Sequence, residues 1–143
     1  MQRIMALDIG EVRTGIALSD ATRTLASPHA VLATREIMSD SHALKTIALN
    51  YDVGLLVCGL PLSLLGEKTS QTKQTEARAL KIANDLDLPL HYQDERYSSK
   101  EARSFAQSLG YTDKQLRGSL DMFAAVLILE AYLDTQRAQN DKG

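Results

Sequence analysis

Arg3-Ile4-Met5-Ala6-Leu7-Asp8-Ile9-Gly10 runs straight into Glu11-Val12-Arg13-Thr14-Gly15-Ile16-Ala17-Leu18-Ser19-Asp20, and the fold turns on how this stretch is read. Residues 3–8 form a short apolar strand that ends on an acid and then a glycine. Residues 14–19 form a second strand, and the link between them is short enough to demand an antiparallel return. An acid at the carboxyl end of an apolar strand stands where α/β sheets place their ligands, and Asp8 would be costly there without a partner. Gly10 and Gly15 let the backbone come close to a phosphate or a metal across the turn. The plainer alternative is a hairpin in which Asp8 satisfies turn amides.

Outward from this hairpin the periodicity predicts a third strand at 31–34 and a helix at 39–51, where Ala43, Leu44, Ile47 and Ala48 recur at helical spacing. The run at 54–58, Gly-Leu-Leu-Val-Cys, is continuously apolar, as a strand covered on both faces should be. A loop at 59–69, a polar helix at 70–86 and a fifth strand at 89–93 follow. The next helix, 98–109, opens on the capping box Ser98-x-x-Glu101 and closes at Gly110; Gly118 precedes a last helix at 119–136. The order β-β-β-α-β-α-β-α-α predicts an α/β domain over 1–138 with a frayed tail at 139–143. Its mixed five-stranded sheet has three antiparallel strands, then parallel ones, with helices on both faces and the first strand at the centre. That is the ribonuclease H-like topology.

The 143 residues suffice for one core, and 44% hydrophobic with 24% charged residues is a globular composition. The longest apolar run, 122–129, falls well short of a membrane span, and no signal peptide is expected ahead of the first strand. The one cysteine, Cys58, lies in an apolar run and reads as a buried thiol, which fits the cytoplasm. A net charge of -2 argues against a protein that coats nucleic acid by bulk charge. A local basic face stays open at 96–118, where Arg96, Lys100, Arg103, Lys114 and Arg117 face only Glu101 and Asp113.

Three further motifs carry possible chemistry. Gly59-Leu60-Pro61-Leu62 ends the fourth strand with a sharp exit whose amides could face a ligand, or with nothing more than a rigid turn. Asp94-Glu95-Arg96 follows the fifth strand and could supply a metal ligand and a phosphate clamp, or a local charge cluster at a helix start. Asp121 opens the last helix, where the macrodipole alone would favour it, but apolar neighbours and the small Ala124 and Ala125 suggest close packing on the sheet. Asp8, Glu95 and Asp121 could meet at one sheet end and hold a divalent metal. All-oxygen donors favour Mg²⁺ or Mn²⁺ and suit in-line hydrolysis of a phosphodiester. Non-hydrolytic phosphate or nucleotide binding is the alternative, since actin-like and sugar-kinase ATPases use a similar Asp-x-Gly turn; those proteins, however, repeat the fold in two lobes.

Taken in order, Ala6-Leu7-Asp8-Ile9-Gly10, Arg13-Thr14-Gly15-Ile16-Ala17-Leu18-Ser19-Asp20, Gly59-Leu60-Pro61-Leu62, Asp94-Glu95-Arg96 and Asp121-x-x-Ala124-Ala125-x-x-Ile128-Leu129 resemble the YqgF family, also called RuvX-type. The resemblance implies a bacterial cytoplasmic nuclease of the ribonuclease H-like fold, assigned to maturing the 5′ end of 16S ribosomal RNA precursor. An older assignment is Holliday junction resolvase. It implies catalytic and metal-binding roles for Asp8, Glu95 and Asp121. Gly10, Arg13, Gly59, Pro61, Arg96 and Lys100 are the candidates for contacting the substrate phosphates. The partner implied is structured RNA or branched DNA, with the protein a monomer or weak homodimer. Three positions depart from the pattern. Ser63-Leu64-Leu65-Gly66 replaces the common Asn-Met-Asp-Gly, Tyr97 replaces a leucine and could stack on a base, and Gly59 stands where junction resolvases place an acid. The second acid instead follows the fifth strand, two strands from the first and roughly 9.5 Å away. Glu95 must therefore reach across, or bind metal only when substrate is present.

Overall fold

The computed structural model describes residues 1–95, 99–115 and 120–142. Five strands, β1 (Arg3–Ile9), β2 (Arg13–Ser19), β3 (Ala26–Ala33), β4 (Val53–Pro61) and β5 (Leu90–Glu95), form one sheet in the order β3-β2-β1-β4-β5. The β1–β2 and β2–β3 pairs are antiparallel, and β1–β4 and β4–β5 are parallel. This is the mixed ribonuclease H-like sheet that the sequence pattern predicts, with β1 at its centre.

Both faces of β1 are covered, and its side chains divide strictly by parity. Met5, Leu7 and Ile9 join Ile16, Leu56 and Cys58 in the core under α1 (Thr34–Ser39), α2 (His42–Asn50) and α3 (Ser70–Leu86). Ile4 and Ala6 join Ala17, Leu55 and Val57 in the opposite core, against Ala125, Val126, Ile128 and Leu129 of α5 (Leu120–Lys142). Asp8 continues the even series and so belongs to the α5 face. α4 (Ser99–Ser108) packs on α5 through Ala106 and the fully buried Phe123, whose ring meets Tyr111 edge-on at 4.9 Å.

Several boundaries differ from the sequence reading. β3 begins at Ala26 rather than at 31, because it is an edge strand, where Pro28 needs no ladder partner for its missing N–H. The helix expected over 39–51 is α2, over 42–50, and a separate short helix not expected from the sequence, α1, precedes it at 34–39. Asp40 is extended between them, with φ -156° and ψ 115°, and its carboxylate accepts from the His42 amide at 2.9 Å. β4 runs on through Gly59 and Leu60 to Pro61, and β5 reaches Glu95, because these ends pair with each other, Gly59 with Gln93 and Pro61 with Glu95. α5 continues to Lys142, so the tail expected to fray is helical as far as that residue. The Ser98 capping residue, Tyr97 and Gly118 lie outside the described residues, as does the Glu101 side chain.

Candidate active site

The alternation that buries Ile4 and Ala6 carries Asp8 to the α5 face at the carboxyl end of the central strand. A glycine stands on each side of it. Gly15 is its direct partner on β2, and on β4 Gly59 comes one residue after Cys58, the partner of Leu7.

Each glycine admits a second acid. A Cβ on Gly15 would collide with the Asp121 carbonyl and lie 2.8 Å from the Met122 amide nitrogen, so only a bare backbone lets the first described turn of α5 rest on the sheet. That contact, with the buried Phe123 as anchor two residues further along, delivers Asp121 to the site. A Cβ on Gly59 would sit 2.8 Å from Glu95 Oε2 and 2.5 Å from Ile128 Cδ1. Glu95 therefore crosses β4 over Gly59. It reaches Asp8 and hydrogen-bonds it.

The electrostatics follow from this crowding. Burial is the largest influence on both Asp8 and Glu95, and it raises both pKa values. Glu95 is pushed up to about 9, with the Asp8 charge and its hydrogen bond to Asp8 adding to the rise. Asp8 is held down somewhat by the same hydrogen bond and pushed up by Asp121. Both carboxyls being raised by burial, the pair holds a proton at neutral pH in the Asp8–Glu95 hydrogen bond. Asp121 is compensated differently, by Arg13, whose Nε donates to Oδ2 at 3.0 Å. Among the described residues, no three His, Cys, Asp or Glu side chains are arranged to hold a metal ion. The proton on the Asp8–Glu95 pair and the Arg13 guanidinium offset two of the three carboxyl charges.

The remaining predicted residues fall into three groups. Gly10 serves the hairpin: its amide donates to the Arg13 carbonyl at 2.9 Å and its carbonyl accepts from Thr34 Oγ1 at 2.8 Å. Pro61 ends β4, and its carbonyl accepts from the Thr72 hydroxyl. Arg96 and the side chain of Lys100 lie outside the described residues. Asp94, next to Glu95, alternates to the other face and is exposed. Cys58 is fully buried, and burial with the two nearby acids drives its thiol far above the ordinary range, consistent with an inert core residue. Sequence reasoning missed the Thr14–Thr34 hydroxyl pair at 2.8 Å, both residues buried, that ties β2 to α1 beneath the hairpin. Two threonines twenty residues apart give no signal until the sheet is assembled.

The family described as "RuvX: Holliday junction resolvase" matches residues 2–135. The chain belongs to the RuvX family. Among its RuvX relatives, a protein of Roseiflexus sp. is 39% identical over 138 residues, covering 94% of this chain and 96% of its own. One of Synechococcus sp. is 38% identical over 133 residues, covering 93% and 89%. Both are named "Putative pre-16S rRNA nuclease". In fold, the RuvX chain is similar to the fowlpox virus resolvase solved with Holliday junction DNA, with a TM-score of 0.58 at 14% identity over 94% of this chain and 99% of that one. Thermus thermophilus RuvC superposes with a TM-score of 0.55 at 11% identity, covering 96% and 97%.

Proposed function

We propose that this chain is a metal-dependent nuclease that hydrolyses phosphodiester bonds to mature the 5′ end of precursor 16S ribosomal RNA, and that it works in the cytoplasm, where that substrate is. One observation supports the chemistry above all others. Glu95 crosses a glycine to hydrogen-bond Asp8, while Asp121 is lowered beside them onto a second glycine. The names borne by its relatives support the choice of RNA.

By donor chemistry, three carboxyl groups with the buried Cys58 thiol unavailable, the site suits a hard divalent cation, Mg²⁺ or Mn²⁺, and the three carboxyls must draw together from their present arrangement to chelate it. Asp8, Glu95 and Asp121 would hold it, and when bound it supplies activation of the attacking water and stabilisation of the leaving oxygen. Holding it requires the Asp8–Glu95 pair to release its proton, so cation affinity should rise with pH up to about 9. Arg13, more than half exposed at the rim, can exchange Asp121 for a substrate phosphate, trading one charge-assisted hydrogen bond for another.

The test is cleavage by purified protein of precursor rRNA, generic single strands and four-way DNA junctions, side by side, with Mg²⁺ or Mn²⁺. Cutting of the precursor near its 5′ end is expected, with Asp8→Asn lowering the rate on the order of a hundredfold or more while leaving the circular dichroism spectrum unchanged. Full activity in that variant would reject the carboxylate mechanism. The family's description favours a second reading, junction resolution, which uses the same carboxyls but needs a symmetric dimer with two sites. Preferential cutting of the junction would select it.

A further inference from the structure

The carboxyl end of the sheet carries apolar side chains that no core claims. Leu64 and Leu65 are 91% and 85% exposed, and Val12, at the tip of the β1–β2 hairpin, is 69% exposed. β1 and β4 are neighbours, so the loops that follow them emerge side by side at the end of the sheet that holds Asp8 and Glu95. From Pro61, the strand partner of Glu95, three residues of chain reach Leu64, a span of roughly 10 Å at most.

The leucine tip is braced. The Gly66 amide donates to the Ser63 carbonyl at 2.8 Å, the Ser63 amide to the Glu67 carbonyl at 3.0 Å, and the Glu67 amide to Ser63 Oγ at 3.0 Å. Gly66 takes φ 81°, a left-handed turn position that suits glycine. Below the tip, Thr69 and Thr72 cap α3 reciprocally, and the Thr72 hydroxyl ties back to the Pro61 carbonyl. Two adjacent leucines are thus held out in water on a loop stapled at both ends.

Their size says what they could meet. Two leucine side chains offer roughly 120–240 Å² of apolar surface, against roughly 800 Å² per partner in a stable protein interface. By themselves they are too little to hold a second copy or a protein partner, whereas an apolar wedge has only one base step to enter. Apolar wedges of this kind unstack a step and kink the helix, which lets a rigid site reach a backbone phosphate. We propose that Leu64 and Leu65 form a wedge that enters a base step of paired RNA beside the phosphate to be cut, so that the enzyme selects structured over single-stranded sites. The proposal rests on the nuclease reading for its substrate.

The test places 2-aminopurine in a paired segment of the precursor next to the cleavage site. The protein carries Asp8→Asn so that binding is read without cutting. A fluorescence rise on binding is expected, lost when Leu64→Ser and Leu65→Ser are added and kept with Leu64→Phe. In the Asp8 background restored to wild type, the double serine variant should lose about tenfold in kcat/KM on paired substrate and nothing on a short single strand. Fluorescence unaltered by the serines, no rise in any variant, or an equal loss on both substrates would each overturn the wedge. So would a dimer in sedimentation that the serines dissolve. Absence of cleavage by the wild type would sink the nuclease reading alone, because the fluorescence arm reads the wedge without it.

Discussion

Glu95 is the residue whose behaviour most depends on its surroundings. Its pKa of about 9 in the fold, against an ordinary 4.5, means that between those values the folded chain holds a proton that the unfolded chain has lost. Stability therefore falls as pH rises through that window, and the raised pKa of Asp8 acts in the same direction. Glu95→Gln keeps a donor toward Asp8 without the titration. In chelator, urea unfolding of this variant should vary less between pH 5 and pH 8 than that of the wild type, and at pH 8 it should be more stable by about 2 kcal/mol. Parallel pH profiles for the two proteins would mean that Glu95 is not protonated in the fold. The Asp8–Glu95 contact could not be read in the sequence, where 86 residues lie between them and the strand count alone leaves the reach of Glu95 open.

At the scale of elements, the site is a matter of how closely α5 and β4 approach β1. Gly15→Ala sets a Cβ against the Asp121 backbone, which cannot rotate away, so α5 must lift. A loss of about 3 kcal/mol in chemical denaturation is expected. A loss below about 0.5 kcal/mol would show that the helix rests elsewhere. Gly59→Ala meets two side-chain ends that can move, Ile128 Cδ1 and Glu95 Oε2, so its stability cost should be smaller, about 1 kcal/mol. Its activity should nonetheless fall sharply, because the added methyl pushes Glu95 off Asp8. Activity equal to wild type in Gly59→Ala would remove Glu95 from the mechanism. A glycine where resolvases of this fold carry an acid looks, in sequence alone, like a lost ligand. In the fold it is the opening through which the acid of the next strand arrives.

Across the whole molecule, the sheet is sealed on both faces only near its centre. β1 and β4 are buried almost from end to end, whereas β3 is an edge strand of partly exposed residues. Hydrogen exchange should accordingly be slowest at Met5–Leu7 and Leu56–Cys58, paired within the central ladder, and faster along β3 and α4. Fast exchange at β1 would contradict a core organised around that strand. Strand order, every helix but α1, the centrality of β1 and the family were legible in the sequence because they depend on periodicities of two and 3.6 and on short motifs, all local properties. The ends of β3, β4 and α5 were not, because a strand stops where its neighbour stops offering hydrogen bonds, and α5 runs on past its last packed residues, Tyr132 and Leu133, through largely exposed turns. The sequence by itself determined which acids were available and which face of β1 Asp8 would take, since parity along a strand is fixed by covalent geometry. Only the tertiary structure decided that two glycines, one on each side of Asp8, would bring Glu95 and Asp121 to it. The space a missing side chain leaves has meaning only when another chain segment is packed against it.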